Sequence, residues 1–73
     1  MTKKKPHIGD AIRQRMKDNG QSVAWLARQL SCDRSNLHRK LAEPDMDTQL
    51  LWRISVALHF DFFKLFSEEF DAE

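Results

Sequence analysis

Residues 23–41 read VAWLARQLSCDRSNLHRKL, and the character of the chain changes part-way along them. Val23, Leu26, Ala27 and Leu30 recur at three- and four-residue spacing, which predicts a helix with one apolar face. Ser22 stands where a hydroxyl can cap it. Ser31-Cys32-Asp33 breaks the period, and Asp33 is a good cap for a second helix over Arg34 to Leu41. That second helix has only Leu37 and Leu41 as large apolar residues; Arg34, Ser35, Asn36, His38, Arg39 and Lys40 make up the remainder. A helix so polar must show most of its surface to something wet or charged.

Working outward, Ile8, Ala11, Ile12 and Met16 form a helical stripe upstream, ended by Asn19-Gly20, since Gly takes the left-handed C-terminal position without steric cost. Downstream, Glu43-Pro44-Asp45 is a turn, because Pro cannot continue a helix and restricts its neighbour. Asp47 is placed to cap a fourth helix, with Met46 and Leu51 set for a hydrophobic staple and Leu50, Leu51, Ile54, Ala57 and Leu58 as its buried stripe. The pattern repeats at Asp61, which is expected to cap a fifth helix carrying Phe62, Phe63, Phe66 and Phe70. The expected fold class is therefore all-α, with five short helices, no strand and no internal repeat. Residues 1–7 are expected to be a flexible basic arm, 8–70 the folded domain and 71–73 an acidic tail.

Seventy-three residues, 41 % of them hydrophobic, suffice for one small helical core and leave no room for a second domain. No run approaches the roughly 18 apolar residues of a membrane span, and no apolar signal core follows Met-Thr-Lys-Lys-Lys-Pro. One cysteine, Cys32, excludes an internal disulfide and fits a reducing cytoplasm, where a nucleoid-associated location is expected. The formal net charge of +1 conceals a split. Residues 1–41 carry ten Lys/Arg against three Asp, a balance of +7, and residues 42–73 carry two against eight acids, a balance of −6. Such asymmetry suits one face for a polyanion and another end that repels it, although an unevenly charged solvated surface has the same composition.

The unit at residues 23–41 has what a helix-turn-helix needs. Ala27 is small enough to sit where two steeply crossing helices touch; Leu26, Leu30 and Leu37 can bury the corner, leaving the second helix free to enter a major groove. Residues 8–66 resemble the Xre/Cro-type, lambda-repressor-like helix-turn-helix domains. The resemblance rests on Leu26-Ala27, Leu30, the break, the anchor Leu37, and the later Leu51, Ile54, Ala57 and Leu58. The ending Asp61-Phe62-Phe63 with Leu65-Phe66 also resembles small regulators from the Bacteroides group of bacteria. The resemblance implies a five-helix lambda-repressor-like bundle, sequence-specific binding of double-stranded DNA and regulation of transcription, usually as a dimer on a two-fold site. The chain departs from the family's pattern at Val23, where Gln is frequent, and at Ser31, where Gly is frequent. It departs again at Lys40, where an apolar residue is usual, and at Ala42-Glu43-Pro44, where Glu-x-Gly commonly follows.

Arg34, Ser35 and Arg39 match the family's base-reading positions, and Arg is the commonest reader of guanine, through paired bonds to O6 and N7. Asn36 and His38 lie beside them and can bond base or phosphate. Arg13, Arg15, Lys17, Arg28 and Lys40 are candidates for phosphate, as is Ser22 with the free N–H groups of the first turn behind it; each is otherwise a solvated or capping side chain. Trp25 points about 140° from the centre of its helix's apolar stripe, so it either packs on the N-terminal arm or offers its indole N–H to a phosphate or partner. Lys3, Lys4 and Lys5 are either a solvated tail or an arm adding salt-sensitive affinity. Trp52, Val56, Phe62, Phe63, Phe66 and Phe70 either pack into the core or form an apolar surface for a homodimer. Cys32 is expected to be buried in the turn. Cys32, His7, His38 and His59 lack the paired spacing of a metal site, and no nucleophile, carboxylate pair or phosphate loop stands out. No cofactor, small-molecule ligand or enzymatic activity is expected. The alternative function is a helical interaction module, adaptor or antitoxin-like, that does not read DNA and works through Trp25, Trp52 and the Phe residues.

Overall fold

The computed structural model describes residues 6–71, so the Lys3–Lys5 arm lies outside the described residues. Helices α1 (Ile8–Asp18), α2 (Val23–Leu30), α3 (Arg34–Ala42), α4 (Thr48–Leu58) and α5 (Lys64–Asp71) follow one another, with no strand among the described residues. No helix is long and apolar enough to cross a membrane.

Three helix starts form as the sequence predicts. Ser22 Oγ accepts from the Trp25 N–H at 3.0 Å, Asp33 Oδ2 from Asn36 at 3.0 Å and Asp47 Oδ1 from Leu50 at 2.8 Å. Each satisfies an N–H that the helix itself leaves without a partner. Two starts differ from expectation. His7, assigned to the arm, caps α1 by accepting the Asp10 N–H on Nδ1 at 3.2 Å. Asp61 does not cap α5: its Oδ1 accepts from Phe63, only two residues on, at 3.0 Å. That short Asx-type turn uses the carboxylate before a helix can begin, so α5 starts at Lys64, and Phe62 and Phe63 precede it.

Three helix ends share one device. A residue in the left-handed region follows the helix, Gly20 at φ 69°, Ser31 at φ 53° and His59 at φ 53°. The next N–H then reaches back five residues: Gln21 to the Met16 carbonyl at 2.8 Å, Cys32 to Ala27 at 3.0 Å and Phe60 to Ser55 at 3.0 Å. This is the Schellman closure. Only one of the three pivots is glycine, so Ser31 and His59 hold an angle that costs L-residues about 1–2 kcal/mol.

The core gathers Ile8, Ile12 and Met16 from α1, Leu26, Ala27 and Leu30 from α2, Leu37 and Leu41 from α3, Leu51, Ile54 and Leu58 from α4, and Phe62 from the α4–α5 connection. Phe62 is 1 % exposed, so of the two places open to it, core or apolar surface, it takes the core: the turn at Asp61 directs it inward beside Phe60, ring centroids 4.7 Å apart. Cys32 is exposed, contrary to the expected burial, because the left-handed Ser31 swings the next residue off the apolar face of α2. The main helix contacts are α1 with α3, α2 with α3 and α2 with α4, so α3 lies between α1 and α2.

Gly9 is the tightest point in that arrangement. A Cβ on it would lie 1.7 Å from the Leu41 carbonyl oxygen and 2.6 Å from its carbon. Backbone rests on backbone where α1 begins and α3 ends. Two arginines lock the other joints: an Arg13 Nη donates to the His38 carbonyl at 3.2 Å, and an Arg53 Nη to the Leu30 carbonyl at the end of α2.

Replacing Gly9 by Ala should cost at least about 2 kcal/mol, since neither backbone can yield without moving a helix; urea denaturation of both forms measures it, and equal midpoints would refute the contact. Ser31→Gly should act in the opposite sense, stabilising by about 0.5–1 kcal/mol through relief of the left-handed strain after the entropic cost of glycine. Its check is a rise in thermal midpoint.

Candidate nucleic-acid interface

Helix α3 exists because Asp33 caps it and because two residues four apart, Leu37 and Leu41, are buried at 2 % and 0 % exposure. Those anchors fix the rotation of the helix. At 100° per residue, Arg39 projects roughly opposite to their mean direction, with Ser35 about 40° and Asn36 about 60° to either side. His38 occupies one flank and Lys40 the other, each about 80° from the anchors' mean direction; Arg34 lies only about 40° from that direction, in the first turn of the helix. Arg34, Ser35, Asn36, His38 and Arg39 are all exposed, and Lys40 is half-buried.

The outward face is partly organised. An Arg39 Nη donates to Asn36 Oδ1 at 2.6 Å. One turn of helix separates the two, so the pair sets a guanidinium and a primary amide side by side. Arginine has five N–H donors, so four stay free here, together with the two amide N–H of Asn36. A planar array of donors suits the edge of a base pair or the oxygens of a phosphate. Arg34 and Ser35 have no side-chain partner among the described residues.

The flanking cations divide into two groups. Arg13 reaches α3 directly through the His38 carbonyl, and Lys17, four residues on, continues that side of α1. Arg15 is turned about 200° from Arg13 and does not join them. Its guanidinium lies over the Phe60 ring at 4.3 Å from the centroid, and Lys64 approaches the same ring at 4.7 Å. A cation held against an aromatic face beside the α4–α5 connection is a packing element of that corner. Arg28 is exposed in the last turn of α2.

Helix N-termini offer different chemistry. Asp33 places a carboxylate at the start of α3, which blocks an anion there. The start of α2 carries the neutral Ser22 hydroxyl and no acid in its first turn, so its N–H groups remain compatible with a phosphate. Trp25, in that turn, is half-buried and packed on the core.

The apolar candidates separate by burial. Trp52 is 63 % exposed, Val56 56 %, Phe66 36 % and Phe70 65 %. Phe63 is half-buried, its ring 6.4 Å from that of Trp52. Among the described residues no group of three His, Cys, Asp or Glu is placed to hold a metal ion.

Sequence reasoning gave no role to Gly9 or Arg53, and no structural one to Arg13. Gly9 had a legible signal, a glycine inside an otherwise helical period, which usually marks a close approach. The partners of Arg13 and Arg53 lie 25 and 23 residues away, beyond the reach of local pattern. Comparison with family models, with curated protein sequences and with solved structures finds no match for this chain.

Asp33→Ala should cost about 1 kcal/mol and loosen the first turn of α3, while Asp33→Asn keeps the cap. Amide hydrogen exchange at Asn36 reads this directly; protection unchanged in the Ala form would mean that the packing of Leu37 and Leu41 alone holds the turn.

Proposed function

We propose that the protein is a sequence-specific binder of double-stranded DNA, a lambda-repressor-like helix-turn-helix regulator of transcription that inserts α3 into the major groove. The observation that carries this reading is the exposed face of α3, where Ser35, Asn36 and Arg39 project away from the anchors Leu37 and Leu41, with Arg34 exposed at the start of the helix. Arg34, Ser35, Asn36 and Arg39 read base edges, with His38 at the flank. Ser22 with the α2 N-terminus, Arg13, Lys17, Arg28 and Lys40 meet phosphates on the two sides of the groove. Arg15 stays out of the contact set, engaged with Phe60.

In this scheme the short connection Ser31–Asp33 sets the angle of α3 against α2, and Arg53 pins the end of α2 from behind. The base-reading residues lie on a helix held by α1 and α2, which suits discrimination between base pairs better than a loop would. The alternative, an interaction module that ignores DNA, draws on exposed Trp52, Val56 and Phe70. Those residues lie on α4 and α5, so the two readings make separable demands on the chain.

Selection of fragments from random duplexes, followed by titration at several salt concentrations, tests the proposal. Four phosphate-contacting cations should give a slope of log affinity against log salt of roughly −3 to −4. Arg34→Ala and Arg39→Ala should each lose about 10- to 100-fold on the selected site and little on random duplex, whereas Lys17→Ala should weaken both and flatten the slope by about one. Undiminished affinity of the Arg34→Ala, Arg39→Ala double variant would reject the DNA reading in favour of the interaction module.

A further inference from the structure

An arginine and an asparagine are joined on the outward face of α3. Arg39 projects opposite the buried anchors Leu37 and Leu41, and Asn36 stands one turn before it. Arg39 Nη2 donates to Asn36 Oδ1 at 2.6 Å. Such a short bond suits a charged donor. Both residues are exposed, so burial does not force them together.

The chemistry of the acceptor matters. Helix α3 contains no acidic residue. A carboxylate beside Arg39 would cancel its charge, whereas a primary amide fixes the direction of the guanidinium and leaves the charge in place. An exposed arginine surrenders the freedom of its side-chain torsions when it binds, and a tether at its tip removes part of that cost beforehand. Arg34, exposed on the same helix, has no side-chain partner. The two arginines therefore approach a ligand differently prepared.

The tether also decides which base edge fits. A guanidinium offers two forks of parallel donors, Nε–H with one hydrogen of Nη2 and Nη1–H with the other. One Nη2 hydrogen goes to Asn36, so one fork stays whole. A whole fork matches the O6 and N7 acceptors of guanine. Asn36 changes character in return. Its paired bond to adenine needs Oδ1 to accept from N6–H while Nδ2 donates to N7. An oxygen already taking a short bond from a cation is a poor second acceptor, and the guanidinium beside it would meet the N6 amino group donor to donor. Toward a base, the amide is left as a donor.

We infer that Asn36 is a positioning residue for Arg39: it holds the guanidinium so that Arg39 reads guanine, and it thereby gives up the paired reading of adenine. The inference rests on the proposed DNA reading and adds to it the base that Arg39 selects.

Duplexes selected with the full chain supply the test. The pair read by Arg39 is the one whose preference disappears in Arg39→Ala. It should be G·C, and replacing its guanine by 7-deazaguanine, which lacks the N7 acceptor, should cost about tenfold in affinity. Asn36→Ala keeps the backbone N–H that Asp33 caps, so circular dichroism should show the same helix content. It should lower discrimination at the Arg39 pair by about three- to tenfold and leave the pair read by Arg34 unchanged. Three results would overturn the inference with the DNA reading intact. One is a pair other than G·C at the Arg39 position. Another is full discrimination there in Asn36→Ala. The third is a loss of affinity on replacing an adenine by purine, which lacks the N6 amino group, that vanishes in Asn36→Ala. Failure to enrich any duplex removes the DNA reading itself, and the inference with it.

Discussion

Where α1 meets α3 there is no side chain between the backbones. Gly9 lies under the Leu41 carbonyl at a distance that no Cβ could occupy, and the rest of the molecule is arranged around that contact. It seats the first turn of α1 on the last turn of α3. Ile8 and Ile12 then reach the same core as Leu37 and Leu41, and Arg13, one turn beyond Gly9, reaches the His38 carbonyl. The angle at which α3 presents its polar face is set at one end by this contact and at the other by the Ser31 pivot and the Asp33 cap. Neither end relies on a large interface, which is how a helix with two buried residues keeps a fixed rotation.

Local chemistry carried much of this, and the limits of local chemistry account for what it missed. Caps at Ser22, Asp33 and Asp47 were legible because each depends on one side chain and an N–H three residues away. The apolar stripes were legible because burial follows the helical period. Asp61 misled because the same carboxylate can satisfy an N–H two residues on as readily as three, and the two outcomes start different structures. Phe62 follows from that choice: placed on a helix it belongs to an outer stripe, placed in the turn it becomes the largest fully buried side chain. Cys32 went wrong for a related reason, since its direction depends on a backbone angle at Ser31 that a serine does not announce.

The candidate site shows the same division. The polar face of α3 could be read from its composition, and the list of outward residues needed only the position of two leucines. The cations around it could not be sorted from sequence. Arg13 and Arg15 are two residues apart on a helix and carry the same charge, yet one leans on α3 and the other on Phe60. Charge runs tell how much positive potential a segment has, and only tertiary contacts tell on which side it lies.

The division of charge along the chain gains a physical sense once the fold is known. The molecule is 40 Å in its longest dimension and about 20 Å in the others, and α5 makes no extensive contact with the first four helices. The acids of α5 therefore lie on a helix without extensive contact with the basic helices, and the His7–Asp10 contact at 3.6 Å joins two residues of the first half. Surface charges this far apart act through the long-range field, which is screened over about 8 Å at physiological salt. Such a field favours approach to a polyanion in one orientation, basic end first, before any specific bond forms. On the DNA reading, the acids of α5 then contribute by opposing the approaches in which α3 faces away from the duplex.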